Sequence, residues 1–337
     1  MKGKVGVAVI GCGRIGVTHI EAIRGLQEIS YLAAVVDTDA ALAEKTAAKY
    51  NTKYYGTTKE AFEDSSVEAV VVCLPNNMHA PVTIGAAETG KHVLVEKPFA
   101  MSFNEAERMV NAARKQGVVM MCAQSFRFVP ELQEAQRSIK SEIGEPFNMC
   151  YTFALFFDSK KAPAWWKYKE ITGGPVLQFL GAHIIDATLW FFEGKVPESV
   201  YAHGGSFNPD FEGLDEVTIL IKFRDGAMAT NYLSINTRPA LQECLITGSK
   251  GRIYLKHLMD ASEGQVGNLA VEISIGERLV VGDPKKSNNI TLEEENFIKS
   301  ILKKDKVFVK IEDTLLQMKI IEAAQQSIKT RKVVEIN

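Results

Sequence analysis

The 337-residue sequence predicts an α/β fold with two domains: an amino-terminal, doubly wound parallel sheet and an α/β domain with a mostly antiparallel sheet. Strand and helix patterns alternate as far as about Gln124, which is typical of βαβ units joined by right-handed crossovers. Beyond that residue the strands follow one another closely, and Asp225-Gly226 marks a hairpin turn between two of them. We therefore expect one domain at residues 1–124 and another at residues 125–337.

The elements of the first domain are predicted from the spacing of apolar residues. Short apolar runs, most of them rich in β-branched side chains, predict strands at residues 5–10, 32–36, 54–56, 69–74, 91–95 and 118–122. Apolar residues at helical spacing predict helices at residues 17–26, 40–49, 59–63, 78–89 and 104–116. Pro75 ends one of these strands, and Gly90 and Gly117 end two of the helices.

The second domain is predicted to combine a helical layer with closely spaced strands. A linker-like turn at residues 125–130 precedes helices at residues 131–143 and 176–192, with a strand at residues 146–157 between them. Further strands are predicted at residues 199–204, 216–223, 227–235, 244–248 and 251–257. Helices return at residues 292–303 and 313–329, before a last short strand at residues 332–336. We expect the final helix to pack back on the first domain.

A glycine-rich turn joins the first strand to the first helix. Its sequence, Gly11-Cys12-Gly13-Arg14-Ile15-Gly16, fits the pattern G-x-G-x-x-G. Gly11 permits a tight turn, Gly13 lets a pyrophosphate approach the backbone, and Gly16 lets the helix lie close to the sheet. The unpaired N–H groups and the positive dipole end of that helix attract phosphate. The strand–turn–helix context indicates a dinucleotide site rather than a structural glycine turn.

Asp37 ends the second strand, about 20 residues beyond the last glycine of the turn. An acidic residue at this distance accepts hydrogen bonds from a ribose diol. Its carboxylate would also repel a 2′-phosphate, so the sequence favours NAD over NADP as the cofactor. The alternative interpretation is a solvated residue at a strand end, and the strand–turn–helix context favours the cofactor site over it.

The composition excludes several classes of partner. Hydrophobic residues make up 46% of the chain and charged residues 24%, as in ordinary globular proteins, and the formal net charge is −2. This balance offers nothing to nucleic acid or to an anionic membrane, and no stretch reaches the roughly 18 apolar residues that span a bilayer. The five cysteines are scattered without a C-x-x-C pair, which predicts neither disulfides nor a metal site and favours a cytoplasmic protein.

Lys97 is the first candidate for chemistry. It lies between Glu96 and Pro98 at the end of a predicted strand, on the edge of the sheet where ligands bind. An ammonium there can hydrogen-bond a substrate hydroxyl and stabilise the alkoxide that forms as a hydride leaves. Partial desolvation would lower the pKa of the lysine toward a useful range. The alternative is a solvated surface lysine, and the position at the sheet edge favours the functional role.

His183 is the second candidate. It lies on a predicted helix with apolar neighbours, and Asp186 shares its face at the i, i+3 spacing. A histidine held by a carboxylate is a plausible general base in its neutral form, although a lone histidine on such a helix is more often a core residue. Trp165 and Trp166 are structural or line the cleft, and Trp166 is kept as a candidate substrate contact.

Together these segments resemble the Gfo/Idh/MocA family, named for glucose–fructose oxidoreductase, inositol dehydrogenase and a rhizopine-catabolism protein. The resemblance covers essentially the whole chain. Four segments match in order and spacing: Gly11-Cys12-Gly13-Arg14-Ile15-Gly16, Leu74-Pro75-Asn76-Asn77-Met78-His79, residues 90–98 ending in Glu96-Lys97-Pro98, and Gly173-Gly174-Pro175 with Gly181-Ala182-His183-Ile184-Ile185-Asp186. The E-K-P and G-x-H-x-x-D elements are far more specific than the glycine triplet.

The resemblance implies a Rossmann domain followed by an α/β domain with an open, largely antiparallel sheet that often mediates homodimers or homotetramers. It implies NAD(P)-dependent oxidation of a sugar, cyclitol or related polyol. Catalytic roles then fall on Lys97 and His183, and substrate contacts on Asp186, Arg127 and the candidate Trp166. The candidate cofactor-binding residues are Gly11, Gly13, Arg14, Ile15, Gly16, Asp37, Leu74, Pro75, Asn76, His79, Glu96 and Lys97.

One position departs from the family pattern. Many family dehydrogenases have an aspartate four residues before the histidine, and this chain has Phe179 there. A phenyl ring cannot hold the histidine or a substrate hydroxyl. Either Asp186 takes part of that role, or the substrate is less polar at that point, or the chain is not a standard polyol dehydrogenase. Two alternatives follow: a non-catalytic nucleotide- or sugar-sensing protein, and an enzyme that keeps NAD bound as an internal redox cofactor.

Overall fold

The fold is that of a computed structural model, in which residues 3–258, 270–282 and 288–336 are described. The chain divides into two compact units, of which the first comprises Met1–Ser125 and Asn288–Leu315 and the second Phe126–Ser287 and Leu316–Asn337. One unit contains a parallel sheet and the other a mostly antiparallel sheet, so the predicted fold class is confirmed. Within the described ranges, no helix is both long and apolar enough to cross a membrane.

The elements are numbered in chain order. The strands are β1 (Val5–Ile10), β2 (Ser30–Val36), β3 (Lys53–Tyr55), β4 (Ala69–Val72), β5 (His92–Glu96), β6 (Met120–Ala123), β7 (Pro146–Phe156), β8 (Pro197–Gly205), β9 (Glu216–Phe223), β10 (Met228–Ser234), β11 (Asn236–Gly248), β12 (Gly251–Leu258), β13 (Ala270–Ile275), β14 (Arg278–Val281) and β15 (Val334–Glu335). The helices are α1 (Arg14–Gly25), α2 (Ala40–Tyr50), α3 (Thr58–Glu63), α4 (His79–Glu88), α5 (Phe103–Gln116), α6 (Pro130–Ser138), α7 (Lys169–Thr172), α8 (Ala182–Phe191), α9 (Asn289–Ile301) and α10 (Ile311–Thr330).

The sheet of the first unit has the strand order β3-β2-β1-β4-β5-β6, and all of its pairs are parallel. Every residue of β1 and β4 is buried, as expected for strands covered by helices on both faces. The strand order reverses between β1 and β4, which opens a crevice at their carboxyl ends. Helix α9, from the far end of the sequence, packs on α1 in this unit.

The glycine turn lets α1 lie close to the end of β1. Gly11 has a φ of +101°, in the region that favours glycine, and a Cβ there would overlap the Cys73 carbonyl. A Cβ on Gly16 would overlap the carbonyl oxygen of Gly11 itself. Gly13, in contrast, has nothing within 4 Å of its Cβ position. The first and third glycines of the motif are therefore required by backbone packing, and the second faces open space.

The sheet of the second unit has the order β14-β13-β12-β11-β7-β10-β9-β8-β15, and only the β7–β10 pair is parallel. Strand β9 alternates strictly between buried and outward-facing residues, so one face of the sheet carries the core and the other does not. On the outer face one row of neighbouring residues crosses six strands without a charge: Tyr254, Leu245, Cys150, Thr230, Leu220 and Tyr201.

Several local features differ from the sequence predictions, among them strand β11, which begins at Asn236 and not at residue 244. Strands β13 and β14 extend the second sheet beyond the predicted set, although the alternation in β13 buries Val271, Ile273 and Ile275 and is typical of a strand. The predicted helix at residues 176–192 begins as a π-helical turn, Leu177–Gly181, and is α-helical only from Ala182. Local widening of this kind is not visible in apolar spacing, and it often marks functional sites.

The glycine geometry predicts different outcomes for two alanine substitutions in one turn. Gly16→Ala places a Cβ against backbone that cannot yield, so we expect the melting temperature to fall by about 5 °C or more. Gly13→Ala is the matched control: its φ of −69° suits alanine and its Cβ meets no atom, so the melting temperature should stay within about 1 °C of wild type. Circular dichroism melts of both variants measure this, and equal losses would contradict the packing assigned to Gly16.

Candidate active site

The amino end of α1 presents a site for an anion. Gly13 precedes the helix in an extended conformation, and no side chain caps the first-turn N–H groups. Arg14 is exposed and Ile15 half-buried at the start of the helix. Because the first four N–H groups of a helix have no partner within it, such an end binds phosphate when space allows. The open space beside Gly13 supplies that room, so this turn fits the pyrophosphate of a dinucleotide.

Asp37 lies beside the same turn and stabilises it. Its Oδ2 accepts a hydrogen bond from the backbone N–H of Cys12 at 2.8 Å, and its Oδ1 accepts one from the N–H of Asp39 at 3.0 Å. Burial, reinforced by the charge of Asp37, raises the pKa of the Cys12 thiol to about 11, so the thiol stays protonated. The carboxylate thus anchors the glycine turn, a role that the sequence did not predict for it.

His79 links the loops that follow β4 and β5. Its Nδ1 is 2.7 Å from the carbonyl oxygen of Pro98, and its Nε2 is 2.8 Å from that of Leu74. The side chain is buried, and burial lowers the pKa of the imidazole despite these two carbonyls. Pro75 precedes the short helical turn Asn76–Met78, in which Asn76 is buried. These residues shape the sheet edge between the two strand ends.

Lys97 follows β5 directly, and the Lys97–Pro98 peptide bond is cis. The side chain is half-buried. Burial lowers the pKa of the ammonium, the charge of Arg14 lowers it further, and the charge of Glu96 opposes both. The backbone N–H of Lys97 donates to Oε2 of Glu96 at 2.9 Å. A lysine whose basicity is reduced at the carboxyl edge of a parallel sheet gives up its proton more readily than a solvated lysine does.

Two ionisable residues that the sequence analysis missed lie behind Glu96. His19 on α1 and Glu294 on α9 both have fully buried side chains. The Nε2 of His19 is 3.3 Å from Oε1 of Glu96, and its Nδ1 is 2.6 Å from Oε1 of Glu294. His19 falls on the buried face of α1 with Gly16, Ile20 and Ile23, and this spacing was the available signal for its burial.

In the second unit Arg127 and Asp186 form a buried, bidentate ion pair. The Nε of Arg127 donates to Oδ2 of Asp186 at 2.9 Å, and its second guanidinium nitrogen donates to Oδ1 at 2.8 Å. Both side chains are almost fully buried, and paired charges with this fork geometry are the kind that persist in a protein interior. The i, i+3 spacing predicted His183 as the partner of Asp186, and Arg127 is the partner that holds both of its oxygens.

His183 is half-buried at the start of α8, and its ring stacks on Phe126 with centroids 4.3 Å apart and planes 10° apart. Phe126 and Arg127 are consecutive residues of the short turn Ser125–Phe128. That turn therefore contacts α8 twice, through Phe126 at His183 and through Arg127 at Asp186. Since the two contacts are one helical turn apart, they fix the rotation of α8 about its axis and the direction of the imidazole.

Phe179 belongs to an aromatic cluster with Phe157, Trp165 and Trp166. Its ring centroid is 4.6 Å from that of Trp166 and 6.0 Å from that of Phe157, while Trp165 is 6.2 Å away. Phe179 itself is buried, whereas both tryptophans keep part of their surface exposed. The position that the family pattern gives to an aspartate is thus filled by an apolar, aromatic environment.

Within each unit several of the predicted residues lie at neighbouring strand ends or in contact with one another. In the first, Gly11, Asp37, His79 and Glu96–Pro98 lie at or just beyond the carboxyl ends of β1, β2, β4 and β5. In the second, Arg127 joins Asp186, His183 lies on Phe126, and Trp166 lies against Phe179. Among the described residues no group of three or more His, Cys, Asp or Glu side chains could hold a metal ion.

Comparisons with known proteins agree with this geometry. Residues 5–124 match the family model described as an oxidoreductase family with an NAD-binding Rossmann fold, and residues 132–254 match the GFO/IDH/MocA C-terminal domain. Myo-inositol 2-dehydrogenase of Thermotoga maritima is 26% identical over 343 residues, covering 98% of each chain. The 4-carboxy-2-hydroxymuconate-6-semialdehyde dehydrogenase of a Sphingobium species is 30% identical over 233 residues, covering 68% of this chain and 72% of that protein.

The fold is also found among solved structures. That of levoglucosan dehydrogenase in complex with NADH and L-sorbose superposes with a TM-score of 0.88, at 20% identity and 99% coverage of both chains. The family models, the dehydrogenase relatives and the shared fold confirm the resemblance predicted from the motifs. The chain belongs to the Gfo/Idh/MocA family of oxidoreductases, and its first unit is the family's NAD-binding Rossmann domain.

Proposed function

We propose that this protein is an NAD(P)-dependent dehydrogenase that transfers a hydride between nicotinamide and a carbinol carbon of a sugar, cyclitol or related polyol. The observation that carries the proposal is Lys97, a half-buried lysine with a lowered pKa at the carboxyl edge of a dinucleotide-binding sheet. The inositol dehydrogenase named above supports the substrate class, and the semialdehyde dehydrogenase indicates that the family also extends to substrates other than polyols.

The cofactor residues favour NAD. The first-turn amides of α1 and the space beside Gly13 would hold the pyrophosphate, and Asp37 would accept hydrogen bonds from the adenosine ribose while repelling a 2′-phosphate. When bound, the nicotinamide accepts or delivers the hydride. Arg14, Ile15, Leu74, Pro75, Asn76, His79 and Glu96 complete the proposed cofactor surface.

We assign to Lys97 and His183 the transfer of the substrate's hydroxyl proton. In the oxidation direction Lys97 donates a hydrogen bond to the substrate hydroxyl oxygen and stabilises the alkoxide as the hydride leaves, while His183, in its neutral form, accepts the hydroxyl proton. The stacking of His183 on Phe126 and the Arg127–Asp186 pair support this assignment, because they hold the imidazole in one orientation. Asp186, Arg127 and Trp166 remain the proposed substrate-binding residues.

Phe179 favours a substrate with an apolar face and keeps two alternatives open. The C–H face of a sugar or cyclitol packs well on partly exposed indole rings such as those of Trp165 and Trp166. A non-catalytic nucleotide- or sugar-sensing protein would use the same cluster without Lys97. An enzyme that keeps NAD bound as an internal redox cofactor would use Lys97 and His183 but release no NADH.

The dehydrogenase proposal predicts NADH formation with a member of a panel of sugars, cyclitols and related polyols. We expect Lys97→Met to lower kcat/KM by at least about 100-fold, because the alkoxide loses its cation, and His183→Asn to lower it by a similar factor. Lys59→Met is the matched control, since the Lys59 side chain is 82% exposed. Absorbance of NADH at about 340 nm, where reduced nicotinamide absorbs, measures turnover.

Three outcomes distinguish the alternatives. Full turnover by Lys97→Met would make the catalytic assignment wrong. Binding of a sugar without any chemical change would favour the sensing protein. Substrate conversion without net NADH release, with NAD retained through purification, would favour the internal redox cofactor.

Cofactor preference is predicted to depend on the charge of Asp37. We expect Asp37→Ala to weaken NAD binding by about 10-fold or more, through loss of the ribose hydrogen bonds and of the Cys12 N–H anchor, and to relax discrimination against NADP. Asp37→Asn keeps an oxygen for the Cys12 amide but removes the charge, so it should relax discrimination with a smaller loss of NAD affinity. Calorimetric titration with both dinucleotides measures this, and an unchanged affinity ratio in both variants would remove Asp37 from the site.

We also propose a cytoplasmic homodimer or homotetramer that forms through the outer face of the second sheet. The five cysteines are all free, in keeping with a reducing compartment. The uncharged row through Leu220 and Tyr201, both of which are about 40% exposed, supports an interface between copies of the chain.

This assembly predicts that light scattering gives a mass of two or four times 37.2 kDa for the wild type. Leu220→Lys places a charge within the row and should shift the mass toward the monomer, because an unpaired buried charge is costly. Leu279→Lys is the control, since Leu279 lies on edge strand β14 and is 59% exposed. A wild-type mass of one chain would contradict the proposal.

A further inference from the structure

The Glu96 carboxylate joins two systems in the first unit. Its Oε2 accepts the backbone N–H of Lys97 at 2.9 Å, and its Oε1 lies 3.3 Å from the Nε2 of His19. The other nitrogen of His19 contacts Glu294 at 2.6 Å. A continuous line of hydrogen bonds therefore runs from Lys97 through Glu96 and His19 to Glu294, on a helix about 200 residues further along the sequence.

The net charge of Glu96, His19 and Glu294 follows from the number of protons that the three side chains share. With both ring nitrogens of His19 between two carboxyl groups, three arrangements have the same number of protons and a net charge of −1. The imidazole is cationic between two carboxylates, or it is neutral and one of the two carboxyl groups, Glu294 or Glu96, holds the proton. Glu96 also accepts the backbone N–H of Lys97, and its pKa is lowered, which favours the two arrangements in which Glu96 is ionised.

The pKa shifts agree with this arrangement. Burial alone would lower the pKa of His19, but its contacts with Glu294 and Glu96 raise it to about 10. Burial would raise the pKa of Glu96, and the hydrogen bond and charge of His19 outweigh it, so the net shift is downward. For Glu294 burial prevails and its pKa is raised. The surroundings therefore favour the ionised form of Glu96 and disfavour that of Glu294.

Burying a cluster of ionisable groups costs desolvation free energy, so its presence calls for an explanation. Each buried ionisable group loses several kcal/mol of hydration, roughly, and apolar side chains of the same size would fill the space at less cost. Glu294 is fully buried although neighbouring Glu295 on α9 is partly exposed and pairs with Lys299. Hydrogen bonds connect the buried groups to the backbone of Lys97. The packing of α9 on α1 places Glu294 within hydrogen-bonding distance of His19.

We propose that His19 and Glu294 are positioning residues for Lys97: they keep the Glu96 carboxylate ionised and fixed, and Glu96 in turn fixes the backbone and the local charge at the lysine. The inference rests on the proposed function, because Lys97 is the residue to which that function assigns the proton. Among the groups that act on the Lys97 ammonium are Glu96, Arg14 and Cys122, and Glu96 is itself held by the buried His19.

The pKa of Lys97 tests the inference without any substrate. Competitive acetylation of the full-length protein with acetic anhydride across a pH series, read by mass spectrometry of the Lys97 peptide, reports that pKa directly. In His19→Asn the Nε2 donor is lost, so Glu96 should take up a proton more readily and the ammonium should lose a nearby negative charge; we expect the pKa of Lys97 to fall by about one unit. A rise would mean that loss of the imidazolium charge outweighs this effect, and it would overturn the inference. In Glu294→Gln we expect a smaller fall, because the His19 ring is then less firmly held. Glu295→Gln, one residue away on the same helix, should leave it unchanged.

A measurement on the wild type covers the case in which the His19 variant does not fold. In protein labelled with 15N-histidine, the His19 ring signals should show no titration between pH 5.5 and 8.5, whereas an ordinary histidine titrates near about 6.5. Titration of His19 in the ordinary range would overturn the inference, as would an unchanged Lys97 pKa in folded His19→Asn and Glu294→Gln. If the shifts occur while Lys97→Met retains full turnover, the coupling stands and the catalytic assignment of Lys97 fails instead.

Discussion

The close approach of helix α1 to the end of strand β1 is the constraint on which the first unit depends. Gly16 has no Cβ, so the helix can lie against the carbonyl of Gly11. Its first-turn amides are thereby brought to the sheet edge where a dinucleotide phosphate would bind. Three residues further along α1, the same closeness brings His19 within hydrogen-bonding distance of Glu96. One packing contact thus serves both the proposed cofactor site and the surroundings of Lys97.

In the second unit, helix α8 is positioned by an ion pair and a ring stack, whereas in the first unit α1 is positioned by the lack of a side chain at Gly16. The short turn Ser125–Phe128 holds α8 by two consecutive residues, Phe126 on the imidazole of His183 and Arg127 on the carboxylate of Asp186. A buried ion pair adds little net stability, because the cost of desolvating the two charges offsets most of their attraction. The bidentate geometry, however, fixes the orientation of both side chains. Its value here is directional, since it fixes the rotation of the helix that carries His183.

Polar residues of the first unit also join segments that are separate in the sequence. Asp37 holds the glycine turn through Cys12, and His79 joins the carbonyls of Leu74 and Pro98 across two loops. Each contact removes freedom from a loop that would otherwise be mobile, which is how a rigid sheet can present functional groups on its connecting segments. The aromatic cluster around Phe179 is built from apolar packing, and it distinguishes this chain from family members with an aspartate at that position.

The sequence by itself determined the fold class, the glycine turn and the family, because strand and helix patterns repeat over a few residues and the motifs are contiguous. It also identified Lys97, His183, Arg127 and Asp186 as residues of interest. Only the tertiary structure paired Arg127 with Asp186 and showed that Glu294, within a run of three glutamates typical of a solvated helix face, is buried against His19. The reason is physical: burial and pairing depend on which helix faces meet, and α1 and α9, which pack together, are separated by about 260 residues of sequence.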